Sequence, residues 1–148
     1  MLEGKNNEKI IHVLFDHAVL IMLFVPFMLG MGSMTGDDSP DRIPVTEKKF
    51  SAIFVDQMDV VTMCTDVSIE GKTFVEGVKG KGTYTIPFEE IKSVRFFLKG
   101  GELKGFILLK NNNRDELILN KDYKVYGRTN SGTFQIGISG LKTMRMGE

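Results

Sequence analysis

The sequence predicts an all-β fold of about eight short antiparallel strands, formed by two tandem related units and preceded by an N-terminal hydrophobic helix. Beyond residue 50, apolar residues recur mostly with the two-residue period of a half-buried strand. Glycine is abundant at 16 residues and tryptophan is absent, which favours strands joined by tight turns. A pattern that starts at Gly82 returns at Gly132, which indicates an internal duplication.

Residues 1–32 are predicted to form a signal peptide or a membrane anchor. Residues 18–32 are an uncharged apolar run, which suits a signal-peptide core and is short for a full membrane span. Lys5 and Lys9 supply positive charge before it, and small residues precede a predicted cleavage after Gly32. Cleavage would place the mature protein outside the cytoplasm, in the periplasm or secreted.

Two alternatives to a cleaved leader remain open. If residues 10–31 form one helix, it would be about 33 Å long at 1.5 Å per residue, enough to span a bilayer as an uncleaved anchor. The β domain would then be held outside the cytoplasm by this anchor. A helix belonging to the soluble domain is the third reading, although the apolar run has no polar face to offer water.

Residues 33–49 are predicted to be a polar linker, and residues 50–148 a single β domain. The linker contains two prolines and almost no apolar periodicity. Its aspartates Asp37, Asp38 and Asp41 do not have the spacing of a 12-residue calcium loop, so no metal site is expected there.

The charge balance argues against nucleic acid as a partner. Lysine plus arginine and aspartate plus glutamate number 19 each over the whole chain. Proteins that bind nucleic acid usually carry a clear basic excess, because neutralised phosphates supply much of the affinity.

The duplicated unit is predicted at about residues 56–98 and 103–146. Gly77 and Gly127 match at the same offset of 50 residues as Gly82 and Gly132. A Gly-rich stretch in each copy is expected to form a hairpin turn, and the residues after it alternate as a strand does. Pro87 is expected at a strand end, since proline cannot donate a ladder hydrogen bond. The strands expected ahead of these turns cover 59–65, 72–78, 104–110 and 116–125.

The pattern Gly-Thr-aromatic-x-Ile-Pro-x-x-x-Ile-Lys-Ser-Val-x-Phe, which begins at Gly82, resembles repeats of uncharacterised exported bacterial β-repeat proteins. It also resembles the small barrels of Sm-like and SH3-like proteins. The resemblance covers about residues 56–146, and Gly137 departs from it where the first copy has Pro87. It implies fold and location and supplies no active site. A two-sheet sandwich and two paired small barrels both fit the pattern.

Composition argues against several kinds of catalytic site. Both histidines, His12 and His17, lie in the leader, so the domain has none for a Ser-His-Asp or Cys-His site or for a histidine-rich zinc centre. The single cysteine, Cys64, lies in an apolar run and is expected to be a small buried core residue. The glycines from Gly77 to Gly82 should lead into a strand, whereas phosphate loops lead into a helix.

Carboxylates are the remaining candidates for catalysis, and solvated turn acids are the favoured interpretation. The nearest groups along the chain are Asp56 with Asp59, Asp66 with Glu70, and the pair Glu89-Glu90. Glycosidase-type chemistry needs two carboxylates at a set separation across a cleft, which proximity in sequence does not establish.

The sequence therefore predicts a noncatalytic cell-envelope module, not an enzyme and without a cofactor, that binds another envelope protein or has a structural role. An anionic lipid or polysaccharide ligand is the alternative, and a carboxylate-dependent hydrolase is less favoured. Edges that could recruit a partner are expected near 99–101 and in the C-terminal strand 142–146. The cations of a hypothetical anionic-ligand face are Lys72, Lys79, Lys81, Lys92, Arg95, Lys99 and Lys104.

Overall fold

The computed structural model describes residues 43–148, so the predicted leader and the linker up to residue 42 lie outside the described residues. The described part contains ten antiparallel strands and two short 3-10 helices, and the all-β prediction is confirmed for it. The 3-10 helices are Phe88–Glu90 and Ile138–Gly140. The strands are β1 (Ala52–Asp56), β2 (Val61–Ile69), β3 (Phe74–Lys79), β4 (Gly82–Pro87), β5 (Ile91–Lys99), β6 (Glu102–Leu109), β7 (Arg114–Leu119), β8 (Lys124–Thr129), β9 (Gly132–Gly137) and β10 (Leu141–Met146).

All ten strands belong to one curled sheet that forms a half-barrel. Its order is β4-β3-β7-β6-β5-β10-β1-β2-β8-β9, so β4 and β9 are the two edges. The sheet is continuous because β5 and β10 pair in its middle, with Arg95 opposite Thr143 and Ser93 opposite Arg145. One continuous sheet replaces the two arrangements expected from the sequence, a sandwich and a pair of barrels.

The strand order reveals five strands in each repeat and an exchange of hairpins between the repeats. The hairpin β1–β2 pairs through β2 with β8 of the second repeat, and the hairpin β6–β7 pairs through β7 with β3 of the first. Each half of the sheet therefore contains strands from both copies. Since neither half can be completed by one copy alone, the two repeats are expected to fold together.

Glycine stands at both places where the exchanged hairpins meet the other repeat. A Cβ on Gly77 of β3 would lie 2.7 Å from the Cβ of Leu117 in β7, and one on Gly127 of β8 would lie 2.7 Å from the Cβ of Cys64 in β2. Real Cβ atoms do not approach so closely, so glycine is required at both places. This requirement explains why Gly77 recurs as Gly127, at an offset of 50 residues.

A single hydrophobic core lies on the inner face of the curl. Alternate residues of each strand contribute to it, among them Val94 of β5 and Met144 of β10, which are fully buried opposite each other. Each 3-10 helix adds one fully buried side chain, Phe88 or Ile138. Burial of such side chains supplies about 1.5–3 kcal/mol each, so this shared core is the main source of stability.

The predicted glycine-rich hairpin turn of the first copy is confirmed. Gly80 has a φ of +63° at the first position of the two-residue turn between β3 and β4. The β5–β6 turn uses Gly100 and Gly101, with φ of +61° and +79°. Both turns place glycine where an L-residue is strained, as two-residue hairpin turns demand.

Three sequence predictions about the strands are wrong. Residues 43–148 form ten strands rather than about eight, because Ala52–Asp56 forms β1 and the predicted strand 116–125 is two strands, β7 and β8. The break between β7 and β8 is a turn in which Asn120 Oδ1 accepts a hydrogen bond from the Asp122 amide at 3.0 Å. The C-terminal strand, predicted to be an exposed edge, is β10 in the middle of the sheet.

Candidate binding edge and outer face

Within residues 43–148, β4 has a free edge that presents unpaired backbone groups. The turn at Gly80 makes Lys79 and Gly82 a hydrogen-bonded pair, and the Phe88 amide donates to the Thr73 carbonyl at 3.0 Å. Hydrogen bonding alternates along an antiparallel pair, so the even-numbered residues of β4 bond to β3. The amides and carbonyls of Thr83 and Thr85 therefore point away from the sheet.

The side chains of β4 leave this edge unprotected. The strand reads Gly-Thr-Tyr-Thr-Ile-Pro and carries no charge, although charged side chains are the usual protection of an edge. Pro87 stands at its last position and removes an outward donor only there. The edge is thus open to another extended segment along Thr83 and Thr85.

The two edges of the sheet differ in how they cover their aromatic residue. On β9, the ring of Phe134 stacks on Phe54 with a centroid separation of 5.6 Å. On β4, the equivalent residue is Tyr84, which is 46% exposed. In the half of the sheet that contains β4, the counterpart of Phe54 is Ile107, which offers no aromatic ring for Tyr84 to stack on. The β4 edge therefore has apolar surface left for a partner to cover.

The outer face carries a cluster of three arginines on the central strands, here called the arginine patch: Arg95, Arg114 and Arg145. Arg95 projects outward from β5 between the buried residues Val94 and Phe96. Leu108 of β6 lies opposite both Ser93 and Arg114, and Ser93 lies opposite Arg145. All three arginines are exposed, and none forms an ion pair within residues 43–148.

Apolar side chains surround the arginine patch on the same face. Phe106 lies opposite Arg95 and is 38% exposed, while Ile53 lies opposite both Arg145 and Met63. Met63 is 71% exposed. The outer face thus combines unpaired positive charge with accessible apolar surface.

A groove lies between two of the arginines. It has a volume of about 380 Å³. The residues that line it are Ser93, Arg95, Phe106, Ile107, Leu108, Arg114 and Asp115. Asp115 does not neutralise these arginines, because its carboxylate accepts a hydrogen bond from Lys79 at 2.7 Å, which lowers the pKa of Asp115. The nearby Glu116 is paired in turn with Lys104 at 2.9 Å.

The seven cations singled out from the sequence do not form one surface. Arg95, Lys99 and Lys104 share the outer face of β5 and β6, whereas Lys79 and Lys81 lie at the β3–β4 turn. Lys72 precedes β3, 3.7 Å from Glu76, and lies over the ring of Phe74. Lys92 follows the start of β5, where the register with β6 shifts.

Sequence analysis missed two members of the arginine patch. Arg145 stands at the repeat position of Arg95, at the offset of 50 residues, and this correspondence would have identified it. Arg114 follows three asparagines in a polar run, and no periodic signal marks it.

Five of the six carboxylates considered for catalysis, all except Glu90, have structural partners. Asp56 Oδ1 accepts hydrogen bonds from the amides of Met58 and Val60 and so closes the β1–β2 turn. Asp59 pairs with Lys142 at 2.6 Å.

The other candidate acids also hold parts of the fold together. Asp66 pairs with Arg128 at 3.4 Å, and Glu70 accepts a hydrogen bond from the Lys124 amide. Glu89 pairs with Lys48, which lowers the pKa of Glu89. The prediction that these acids are turn residues fits Asp59 and Glu70, which lie in strand connections, and is wrong for Asp66, which lies within β2 at a shift of register with β8.

Cys64 is buried against Gly127, as predicted for a small core residue. Its burial raises the pKa of the thiol to about 11, so the thiol stays protonated at neutral pH. No group of three or more histidine, cysteine, aspartate or glutamate side chains in residues 43–148 is arranged to hold a metal ion. Over the same residues, no helix is both long and apolar enough to cross a membrane.

Residues 46–148 match the model of a protein family described as "uncharacterised protein". The match covers more than half of the chain, which therefore belongs to that family. No curated protein and no solved structure matches the chain.

Proposed function

We propose that this protein is a noncatalytic cell-envelope module that binds another envelope protein by adding a strand of that protein to the free edge of β4. The observation that carries the proposal is the pair of outward-facing residues Thr83 and Thr85 on an edge without charge. Strand addition takes its affinity from main-chain hydrogen bonds and its specificity from alternate side chains.

The chemistry of the edge defines the segment it would take. Two amides and two carbonyls are available at Thr83 and Thr85, and each net hydrogen bond contributes about 0.5–1.5 kcal/mol. Tyr84 and Ile86 lie on the inner side of β4, where Ile86 already packs against the core. An added strand with apolar residues on that side would cover Tyr84. The expected occupant is therefore an extended, alternating segment of the partner.

The partner can be captured with a photoreactive amino acid at position 85 of the full chain in its native host. The matched control carries the same amino acid at Lys121, in the exposed β7–β8 turn. A partner bound to the β4 edge crosslinks at position 85 and not at position 121. Crosslinks from position 85 to a second copy of this chain would indicate that the β4 edge mediates self-association and does not bind a different protein.

The captured protein is then purified, and its affinity is measured for the wild type, Thr85→Pro and Thr85→Val. Proline removes the outward amide but no bond to β3, since the Thr85 amide points away from β3. Because Thr85→Pro loses one hydrogen bond and the register that this bond gives the added strand, we expect it to bind the partner about tenfold more weakly, a loss of about 1.4 kcal/mol. Thr85→Val keeps the amide and should bind within twofold of the wild type. Wild-type affinity of a folded Thr85→Pro variant would refute strand addition.

The envelope location in this proposal is supported by the apolar run at residues 18–32 and the lysines before it. The intact mass of the protein from fractionated native cells tests it. A chain starting near Ser33 in a soluble extracytoplasmic fraction indicates export and cleavage. A full-length chain in the membrane fraction indicates an anchored module instead. A full-length chain in the cytoplasm contradicts both.

A further inference from the structure

The arginine patch points to a second ligand, independent of the β4 edge. Its three guanidinium groups have no acidic partner among residues 43–148, and the acids beside them, Asp115 and Glu116, are paired with lysines. Guanidinium groups keep their charge at every physiological pH and bind phosphate through two parallel hydrogen bonds. The patch therefore favours an anionic group.

The size of the groove limits what that group can be. Its volume of about 380 Å³ lies at the lower end of small-ligand sites, which hold a head group rather than the surface of a folded protein. Arg95 and Arg114 stand two strands apart and are offset by two residues along the strands, a separation of about 12 Å, so both long side chains can reach an anion placed between them.

Apolar side chains lie between and beside the arginines. Leu108 and Phe106 separate the two arginines, and Phe97 continues the apolar surface on the same side of β5. Beyond Arg145, Ile53 and Met63 extend it across β1 and β2. A ligand that matches both properties has a negative head group attached to an apolar part.

We propose that the outer face docks on an anionic phospholipid surface, with a lipid phosphate between Arg95 and Arg114 and apolar side chains in the interfacial region. Exposed aromatic and aliphatic residues bind the interface, and each nearby cation adds to the affinity for anionic lipid. Phe97 and Met63, exposed by 58% and 71%, are the apolar contacts expected to enter it: Phe97 follows Arg95 along β5, and Met63 lies beyond Arg145 across β1. A module docked in this way keeps the β4 edge free for its protein partner.

The test is flotation of the full chain with vesicles of phosphatidylcholine alone or of phosphatidylcholine with phosphatidylglycerol. Comparison is made with the double variant Arg95→Gln/Arg114→Gln and with Phe97→Ser. One basic residue is worth about a fivefold change in affinity, so the double variant should bind anionic vesicles about 25-fold more weakly. Phe97→Ser should bind about tenfold more weakly.

The matched control is Lys121→Gln, which removes a positive charge from a turn outside the patch. It should bind within twofold of the wild type. The binding of each variant to phosphatidylcholine alone is subtracted, because residues 1–42 would bind neutral vesicles by themselves if they form an anchor. Binding of the wild type should weaken from 50 to 300 mM salt as charges are screened.

Three results would overturn the proposal. The first is equal binding to neutral and anionic vesicles. The second is a loss in Lys121→Gln as large as the loss per charge in the arginine variant, which would indicate net charge alone. The third is saturable binding of soluble glycerol phosphate with an affinity equal to that for anionic vesicles, which would indicate a site for a free phosphate compound. If the arginine and Phe97 variants lose vesicle binding while Thr85→Pro keeps it, the lipid site is distinct from the β4 edge.

Discussion

Replacement of Gly137 with proline is predicted to stabilise the domain. Gly137 has φ −62° and ψ 135°, and Pro87 at the equivalent position of the first repeat has φ −64° and ψ 147°. Proline requires φ near −65°, so the backbone need not move. The amide of Ile138 donates to the Tyr123 carbonyl at 2.8 Å, which turns the amide of Gly137 away from β8. No ladder hydrogen bond is therefore lost.

The expected gain follows from the unfolded chain. A substitution that reduces backbone freedom without native strain stabilises a protein by about 0.4–1 kcal/mol. Space is available, since the nearest atom to a Cβ at Gly137 is Ser139 Oγ at 3.9 Å. For a domain of this size, 1 kcal/mol corresponds to about 4 °C in the melting temperature.

Thermal and urea unfolding of the wild type, Gly137→Pro and the reciprocal variant Pro87→Gly measures this effect. Gly137→Pro should melt up to about 4 °C higher, and Pro87→Gly should lose a similar amount, because the two sites have the same backbone conformation. A lower melting temperature for Gly137→Pro would show that the amide or the local backbone of Gly137 has a role that the repeat comparison overlooks.

Three further predictions concern packing and ionisation. Gly127→Ala should destabilise the fold by about 1–3 kcal/mol in urea unfolding, because the added Cβ meets Cys64. Gly137→Ala, the control, should cost far less. Equal losses of stability would contradict the packing of the exchanged hairpins. The Cys64 thiol should resist alkylation at pH 8 until the chain unfolds. Since the folded pKa of about 11 lies above the ordinary value of 9.0, stability should fall as pH rises from about 9 to about 11; fast alkylation of the native chain would refute its burial. The pKa of Asp115 is lowered by Lys79, so its stabilisation is present at neutral pH and lost on acidification through the folded pKa; Lys79→Met should flatten this part of the stability–pH curve.

Much of the fold could be predicted from local sequence. Gly80 and Gly100-Gly101 mark two-residue turns because only glycine adopts their backbone angles without strain. The alternation around Val94 and Phe96 marks a strand because the inner face of the sheet is buried and the outer face is not. Pro87 is the last residue of β4, as predicted, and the amide that it lacks would have pointed away from β3.

Strand order could not be predicted, for a physical reason. The two repeats present nearly the same packing partners, glycine against a buried side chain, so β2 fits beside β8 with the same kind of contact that places β7 beside β3. Local pattern does not decide which hairpin meets which. The arginine patch depends on this order, because the pairing of β5 with β10 brings Arg95 and Arg145 together.

The free edge was also misplaced by sequence reasoning. The C-terminal strand resembles an edge because it is short and ends the chain, yet β1 and β5 cover both of its sides. One of the two edges, β4, contains alternating residues that are also typical of an interior strand. Only the strand order shows that Thr83 and Thr85 have no neighbour within the described part of the chain.

Hydrogen exchange of the Thr83 and Thr85 amides, with and without the captured partner, tests strand addition at β4 most directly. In the free protein both amides should exchange fast, because they point away from β3. Saturation with the partner should slow both by tenfold or more, while the amides of Lys121 and Asp122 in the β7–β8 turn stay unchanged. Unchanged exchange at Thr83 and Thr85 in a saturated complex would contradict strand addition and place the partner elsewhere on the domain.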